Sequence, residues 1–466
     1  MKCKRMIMCL CAVGMCCMSV SNGAFAAGLD GGANLSGAET TETISPIEME
    51  SIAINEKNAA SNSSSENLIY LKKAAKGTSS SNVQTNGYDG SYHASPIHSY
   101  LYEWKGNLYR LEYISGNIIL EKYDSDFKYL GKGEIEPELP IFGGFFAGEE
   151  YNFIIYGDNN LSESNDKEVI RVVKYTKGMK RVSSKSYYGC NIYIPFDAGC
   201  PRMDERNGIL YIHTSHEMYK TSDGLHHQAN MDFYINISDM NTVYSSYKIS
   251  NPSMGYMSHS FNQFIKVHEN GIYTVDHGDA YNRAITAFRR ASVKSAYVGY
   301  EDVFKINGKI GENYTGVCVG GMELGENNML IAGTSVPQDS TYGKSKQKNL
   351  FIIKVPLYDG GKTSVKYLTH YDKSDNVTFS EPKLVKTCVD SFMLLWTETN
   401  SSVTKLFVTT LDGNGEIIGK IYEYNAKLSD CQPIVYNNRV TYYVTEGNAP
   451  VFYFFNADGS LNKKDK

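Results

Sequence analysis

The sequence predicts an all-β protein, a β-propeller of about seven four-stranded blades over residues 96–466, and three observations predict it. Short runs of Val, Ile, Leu, Tyr and Phe fill this region and are cut by Asn307-Gly308, Asp359-Gly360, Asp412-Gly413 and Asp458-Gly459. Asn, Asp and Gly tolerate positive φ, so these pairs favour hairpin turns between antiparallel strands. A polar or turn-like residue followed by an apolar strand recurs at Asn107, Tyr151, Gly208, Gly271, Asn328, Phe392 and Arg439. The spacings are 44, 57, 63, 57, 64 and 47 residues, and seven units sharing residues 96–466 take about 53 residues each. That length suits four strands with long loops. One such sheet leaves both faces bare, and stacking around a ring buries them. Six or eight blades, or tandem β-sandwiches, are the alternatives.

Taken from the N-terminus, Lys2, Lys4 and Arg5 precede an apolar stretch from Met6 to about Val20, and Ala24-Phe25-Ala26 supplies small residues where a signal peptidase needs them. Residues 1–26 therefore read as a secretory signal cleaved near Ala26. Met15 stands where a lipoprotein signal wants a small residue, against a lipid on Cys16 or Cys17. The apolar stretch is short for a membrane span, and no later run approaches about 18 apolar residues. The expected location is extracellular or on the cell envelope, with no transmembrane segment in the mature chain. Residues 27–95 are a leader rich in Ser, Asn, Thr, Gly and Ala. Its one convincing strand is Asn67-Leu68-Ile69-Tyr70-Leu71. The last repeat unit supplies only three strands, near Ile434, Val440–Thr445 and Val451–Phe455, so Leu68–Leu71 is expected to complete it, since an unpaired edge promotes association.

Charge and cysteines narrow the classes further. The chain carries 46 basic and 51 acidic residues, net −5, and loss of the signal takes the net to −8. A nucleic-acid binder shows the opposite bias. With 42% apolar residues, 36 Tyr and 19 Phe, disorder of the whole is excluded. Five of ten cysteines lie beyond the signal: Cys190, Cys200, Cys318, Cys388 and Cys431. Cys190 and Cys200 are close enough to pair, and burial of all five as small apolar groups is the other reading.

On the repeat pattern, residues 96–466 resemble secreted bacterial β-propeller proteins. No specific functional family is marked: there is no Trp-Asp blade ending, Gly320-Gly321 lacks the downstream aromatics of a kelch repeat, and Thr221-Ser222-Asp223-Gly224 is an incomplete sialidase-type box. His216-Glu217 and His268-Glu269 do not extend to HExxH, and no GxSxG, P-loop or GxGxxG is present. Asp158-Asn159-Asn160 opens like a calcium loop, but the positions that should carry Gly and Glu are Glu163 and Val169.

Seven of ten histidines fall within residues 213–277. In the repeat assignment the strings around His213–Gln228 and Asp276–Arg283 follow second strands, and His259 precedes a first strand, so all open on one face of the ring. The ligand-binding candidates are His216, Tyr219, His259, Asn262, Asp276, His277, Asp279, Tyr281 and Arg283. Tyr, His and Asn suit stacking and planar hydrogen bonds to sugars or peptides. Asp276, Asp279, Glu217 and His277 offer an acid and a base, with Arg283 to hold an anion. A divalent metal on His213, His259, His277 and Asp279 is a third possibility, although His213 and His216, three apart on a strand, aim at opposite faces. The plain alternative is that these groups tie loops across blade junctions. The expected protein is a secreted monomer that binds an extracellular glycan, peptide or cell-surface component without nucleic acid; a hydrolase or lyase acting on polysaccharide through the same face is the runner-up.

Overall fold

In the computed structural model of the chain, residues 82–83, 92–247, 251–296, 298–338, 347–446 and 449–461 are described. The expected signal segment, residues 1–26, and the strand expected at residues 68–71 lie outside them. Seven antiparallel sheets follow one another along the chain. Blade 1 pairs Ser99–Trp104, Asn107–Ile114, Asn117–Tyr123 and Tyr129–Ile135 in that order, and blades 2, 4 and 5 repeat the plan from Ile141–Ala147, Ser260–His268 and Val317–Leu324. In blade 3 the first position is split: Ile192–Pro195 and Arg202–Arg206 both pair with Ile209–Met218. Blade 6 is split likewise, with Thr378–Phe379 and Lys383–Cys388 both on Ser391–Asn400. Blade 7 holds Ile434–Tyr436, Arg439–Glu446 and Ala449–Phe455, and Leu461 bridges Phe455 beyond its last strand. First strands of neighbouring blades lie against one another and line the axis. The protein is a seven-bladed β-propeller.

Every recurring apolar string is the second strand of its blade, as in Gly271–Ala280 and Asn328–Ser335, whose residues are all buried. A second strand has partners on both edges and blades on both faces, so the apolar pattern is strongest there. Seven apolar clusters sit between successive blades and close the ring. Leu111 and Tyr156 belong to the cluster of blades 1 and 2, Ile331 and Val275 to that of blades 4 and 5, and Tyr123 and Phe452 to that of blades 1 and 7. The cluster of blades 3 and 4 is smaller, built on Tyr211, Tyr234, Ile265 and Ile272. Buried polar groups fill the rest of that junction.

Two N-terminal pieces meet the ring. Val83 bridges Ser429, the Asn82 carbonyl accepts from Asp430 N at 3.0 Å, and Asn82 Oδ1 accepts from Thr445 N at 2.8 Å, so a strand-like contact from the N-terminal side does reach blade 7. Residues 92–98 then lie over the axis: Ala94 N donates to Phe261 O at 2.8 Å, and Ala94 and Ile97 pack with Cys200 and Cys318. None of the five described cysteines is joined in a disulfide, so Cys190 and Cys200 are not bonded to each other.

Candidate functional site

The histidine-rich strings of blades 3 and 4 separate into a sealed network and an open cavity. His213, on Ile209–Met218, places Nδ1 2.7 Å from Asp232 Oδ1 and Nε2 3.0 Å from Asp276 Oδ2. Asp276, fully buried, also accepts from Asn230 Nδ2 at 3.0 Å and from Ser260 Oγ. Burial opposes a charge on His213, but Asp276 and Asp232 together outweigh it and raise its pKa to about 10. The imidazolium and its two carboxylates join three strands across the blade junction, with no opening to solvent.

Most candidate ligands are spent in the same way. Arg283 donates to the carbonyls of Asn307, Asp279, Glu312 and Tyr314, so it fastens the loop before blade 5 instead of holding an anion. Asn262 Nδ2 donates to Val319 O at 2.7 Å, tying blade 4 to blade 5. The Tyr219 hydroxyl sits between Asn160 Nδ2 at 2.7 Å and Ser164 O at 3.0 Å, tying blade 3 to blade 2. His277 is buried with Nε2 2.9 Å from Thr315 Oγ1, and burial, with Lys348 and Arg283 adding to it, pushes its pKa down to about 3. His216 is also buried; its ring nitrogens lack a partner of good hydrogen-bond geometry, and burial lowers its pKa to about 4. The strand runs on through His216, so it and His213 do not converge. Among the described residues no group of three or more His, Cys, Asp or Glu is arranged to hold a metal, and the four metal candidates go to three separate places.

The open part is a cavity of about 540 Å³ on the face where the first strands begin. Its wall includes His227, Tyr247, Tyr256, Ser258, His259 and Tyr281, with Asn191 and Thr221, and among the described residues it holds no Asp, Glu, Lys or Arg. Tyr281 stands 69% exposed at the rim, at the hairpin between the second and third strands of blade 4. His259 is held from behind: its Nδ1 lies 3.0 Å from Asp279 Oδ1, leaving Nε2 on the far side of the ring from that carboxylate. Asp279 is fully buried, and its Oδ2 has no hydrogen-bond partner. His227 and His259 lie near-parallel with centroids 6.2 Å apart. Thus His259, Tyr281 and, one layer back, Asp279 stay with the site. Tyr247 and Tyr256 went unnoticed in the sequence; the available signal is that both fall in the loop that carries the chain from blade 3 to blade 4, onto this same face.

No protein-family model matches the chain, and no curated protein matches it in sequence. Solved structures are similar in fold. The structure of the Dos1 propeller aligns with TM-score 0.39 and 10% identity over 66% of this chain and 67% of that one. The polysaccharide lyase Uly1 gives 0.42 and 11% over 82% and 93%. The GH43 protein BlXynB from Bacillus licheniformis gives 0.31 and 11% over 59% of this chain, which spans only 53% of that protein. At such identities the likeness concerns the fold alone.

Proposed function

We propose that the protein is a secreted binding protein that takes a glycan or peptide from its surroundings into the aromatic cavity of blades 3 and 4. The observation that carries this reading is the composition of the wall: three tyrosines and two histidines, flanked by Ser, Thr and Asn, with no carboxylate or ammonium among the described residues. Aromatic rings stack on the apolar faces of sugars and on peptide planes, while hydroxyl and amide groups take up the hydrogen bonds that orient them. Hydrolysis by a carboxylate pair needs both groups at the cleaved bond, and this wall presents neither.

A second reading, polysaccharide cleavage from the same cavity, has one observation in its favour: a buried carboxylate, Asp279, orients His259 as a base is commonly oriented. A glycan array followed by calorimetry on the hits tests the first reading, with Tyr281→Ala expected to abolish binding. Analysis of the same glycans after incubation tests the second. Shortened products that vanish in His259→Ala would replace binding by catalysis, and neither binding nor shortened products with the wild type would remove both.

A further inference from the structure

We infer that the central channel, on the far side of the residues 92–98 segment, is a second binding site, for a small carboxylate with an apolar body, anchored by Arg202. The channel holds a cavity of about 310 Å³ walled by first strands from six of the seven blades, near the lower end of the ~300–1,000 Å³ range of small-molecule sites. Ile97 closes one side, and most of the wall is apolar: Phe145, Met203, Phe264 and Met322 face it. Three of its residues are charged, Arg202, Lys266 and Glu323. Glu323 belongs to Lys266, at 2.9 Å. That leaves the wall with one positive charge in excess.

Arg202 carries this excess. Its guanidinium lies over the Phe264 ring, 4.6 Å from the centroid, and its Nε is buried with no hydrogen-bond partner. Asp204, two residues on, is not in the wall; its Oδ2 accepts from Val267 N at 2.6 Å, and its charge acts on Lys266 beside Glu323. Arg202 is half-buried, its Nε is withdrawn from water, and an Arg fork is matched in shape and charge by a carboxylate. The apolar walls select the remainder of the ligand: an aryl or short alkyl group excludes water from the pair and strengthens it. This site is independent of the cavity of blades 3 and 4, with which it shares no wall residue.

Calorimetric titration of the mature protein with phenylacetate and with its neutral isostere phenylacetamide tests the assignment. Saturable one-to-one binding of phenylacetate, at least ten-fold tighter than the amide, is expected. Arg202→Gln should weaken phenylacetate at least ten-fold, and Arg206→Gln, on the same strand but outside the wall, should leave it unchanged. Tyr281→Ala should also bind phenylacetate normally. Equal affinity for acid and amide, absence of binding at millimolar phenylacetate, or unchanged binding by Arg202→Gln would overturn the proposal, as would loss of binding in Tyr281→Ala, which would put the ligand in the other cavity. Should Arg202→Gln fail to fold, the acid-against-amide comparison on the wild type decides alone.

Discussion

The Tyr443 hydroxyl donates to Glu112 Oε2 at 2.8 Å, although 331 residues separate the two in sequence. The bond crosses the seam between blades 7 and 1, where the ring meets itself. Glu112 is buried and shared with Arg110 Nη1, while Arg110 Nε reaches Glu121 Oε2 at 2.8 Å and Tyr123 donates to the same Glu121 oxygen at 2.6 Å. The seam thus rests on one guanidinium, two carboxylates and two phenols, all withdrawn from water.

Tyr443→Phe is expected to lower unfolding stability by about 1–3 kcal/mol, because Glu112 stays buried and loses a donor without gaining water. Urea unfolding at neutral pH measures it. A loss below about 0.5 kcal/mol would show that Arg110 alone satisfies the carboxylate.

Removal of the N-terminal clasp tests ring closure in two steps. Deleting residues 27–91 removes Asn82 and Val83 from Ser429, Asp430 and Thr445 and should lower the melting temperature by several degrees. Deleting only residues 27–75 removes Leu68–Leu71 and spares the clasp. A drop in the second variant equal to that in the first would assign the closing role to residues 68–71.

Stability should depend on pH from both sides through buried histidines. His216 and His277 have folded pKa values lowered to about 4 and about 3, below the unfolded value of about 6.5. Their contribution is full above about pH 6.5 and is lost as pH falls towards those folded values, because the unfolded chain then binds protons that the native one refuses. His213, raised to about 10, behaves oppositely: its contribution is full below about pH 6.5 and disappears as pH rises towards 10. Between pH 6.5 and 4 the wild type should therefore lose stability more steeply than His216→Leu, by a difference on the order of 2 kcal/mol. Parallel curves would show that His216 is not neutral in the fold.

Substitutions in the two histidine strings should divide by role. Asp276→Ala takes one of two buried carboxylates from His213 and a partner from Asn230 and Ser260, and is expected to cost about 3–5 kcal/mol, as breaking a buried ion pair does. Tyr281→Ala, at an exposed rim, should change stability by less than about 0.5 kcal/mol. Paired melting curves decide: an unaltered melt for Asp276→Ala would return that carboxylate to the list of ligand groups.

Export should yield a protein beginning near Ala27, because Ala24 and Ala26 satisfy the peptidase. Mass spectrometry of secreted material measures this directly. A lipid on Cys16 or Cys17, or retention of residues 1–26, would mean that the segment is an anchor.

Much of this protein is written locally. The second strands at Asn107, Tyr151, Gly271, Asn328 and Arg439 are readable because a strand covered on every side carries a run of apolar residues, even where it also buries groups such as Arg110 or Asp276. Which polar groups serve the site is decided only by tertiary structure. Asp276 and Asp279 are three residues apart on one strand and chemically alike. One is surrounded by His213, Asn230 and Ser260, up to 63 residues away; the other keeps an unpartnered oxygen behind His259 at an open cavity. Arg283 looked like an anion holder until the loop at Asn307–Tyr314 folded over it and used up its donors. A side chain's type is local, but its role depends on what the ring brings against it and whether water is excluded there, and those distances are set by blades that meet only once the ring has closed.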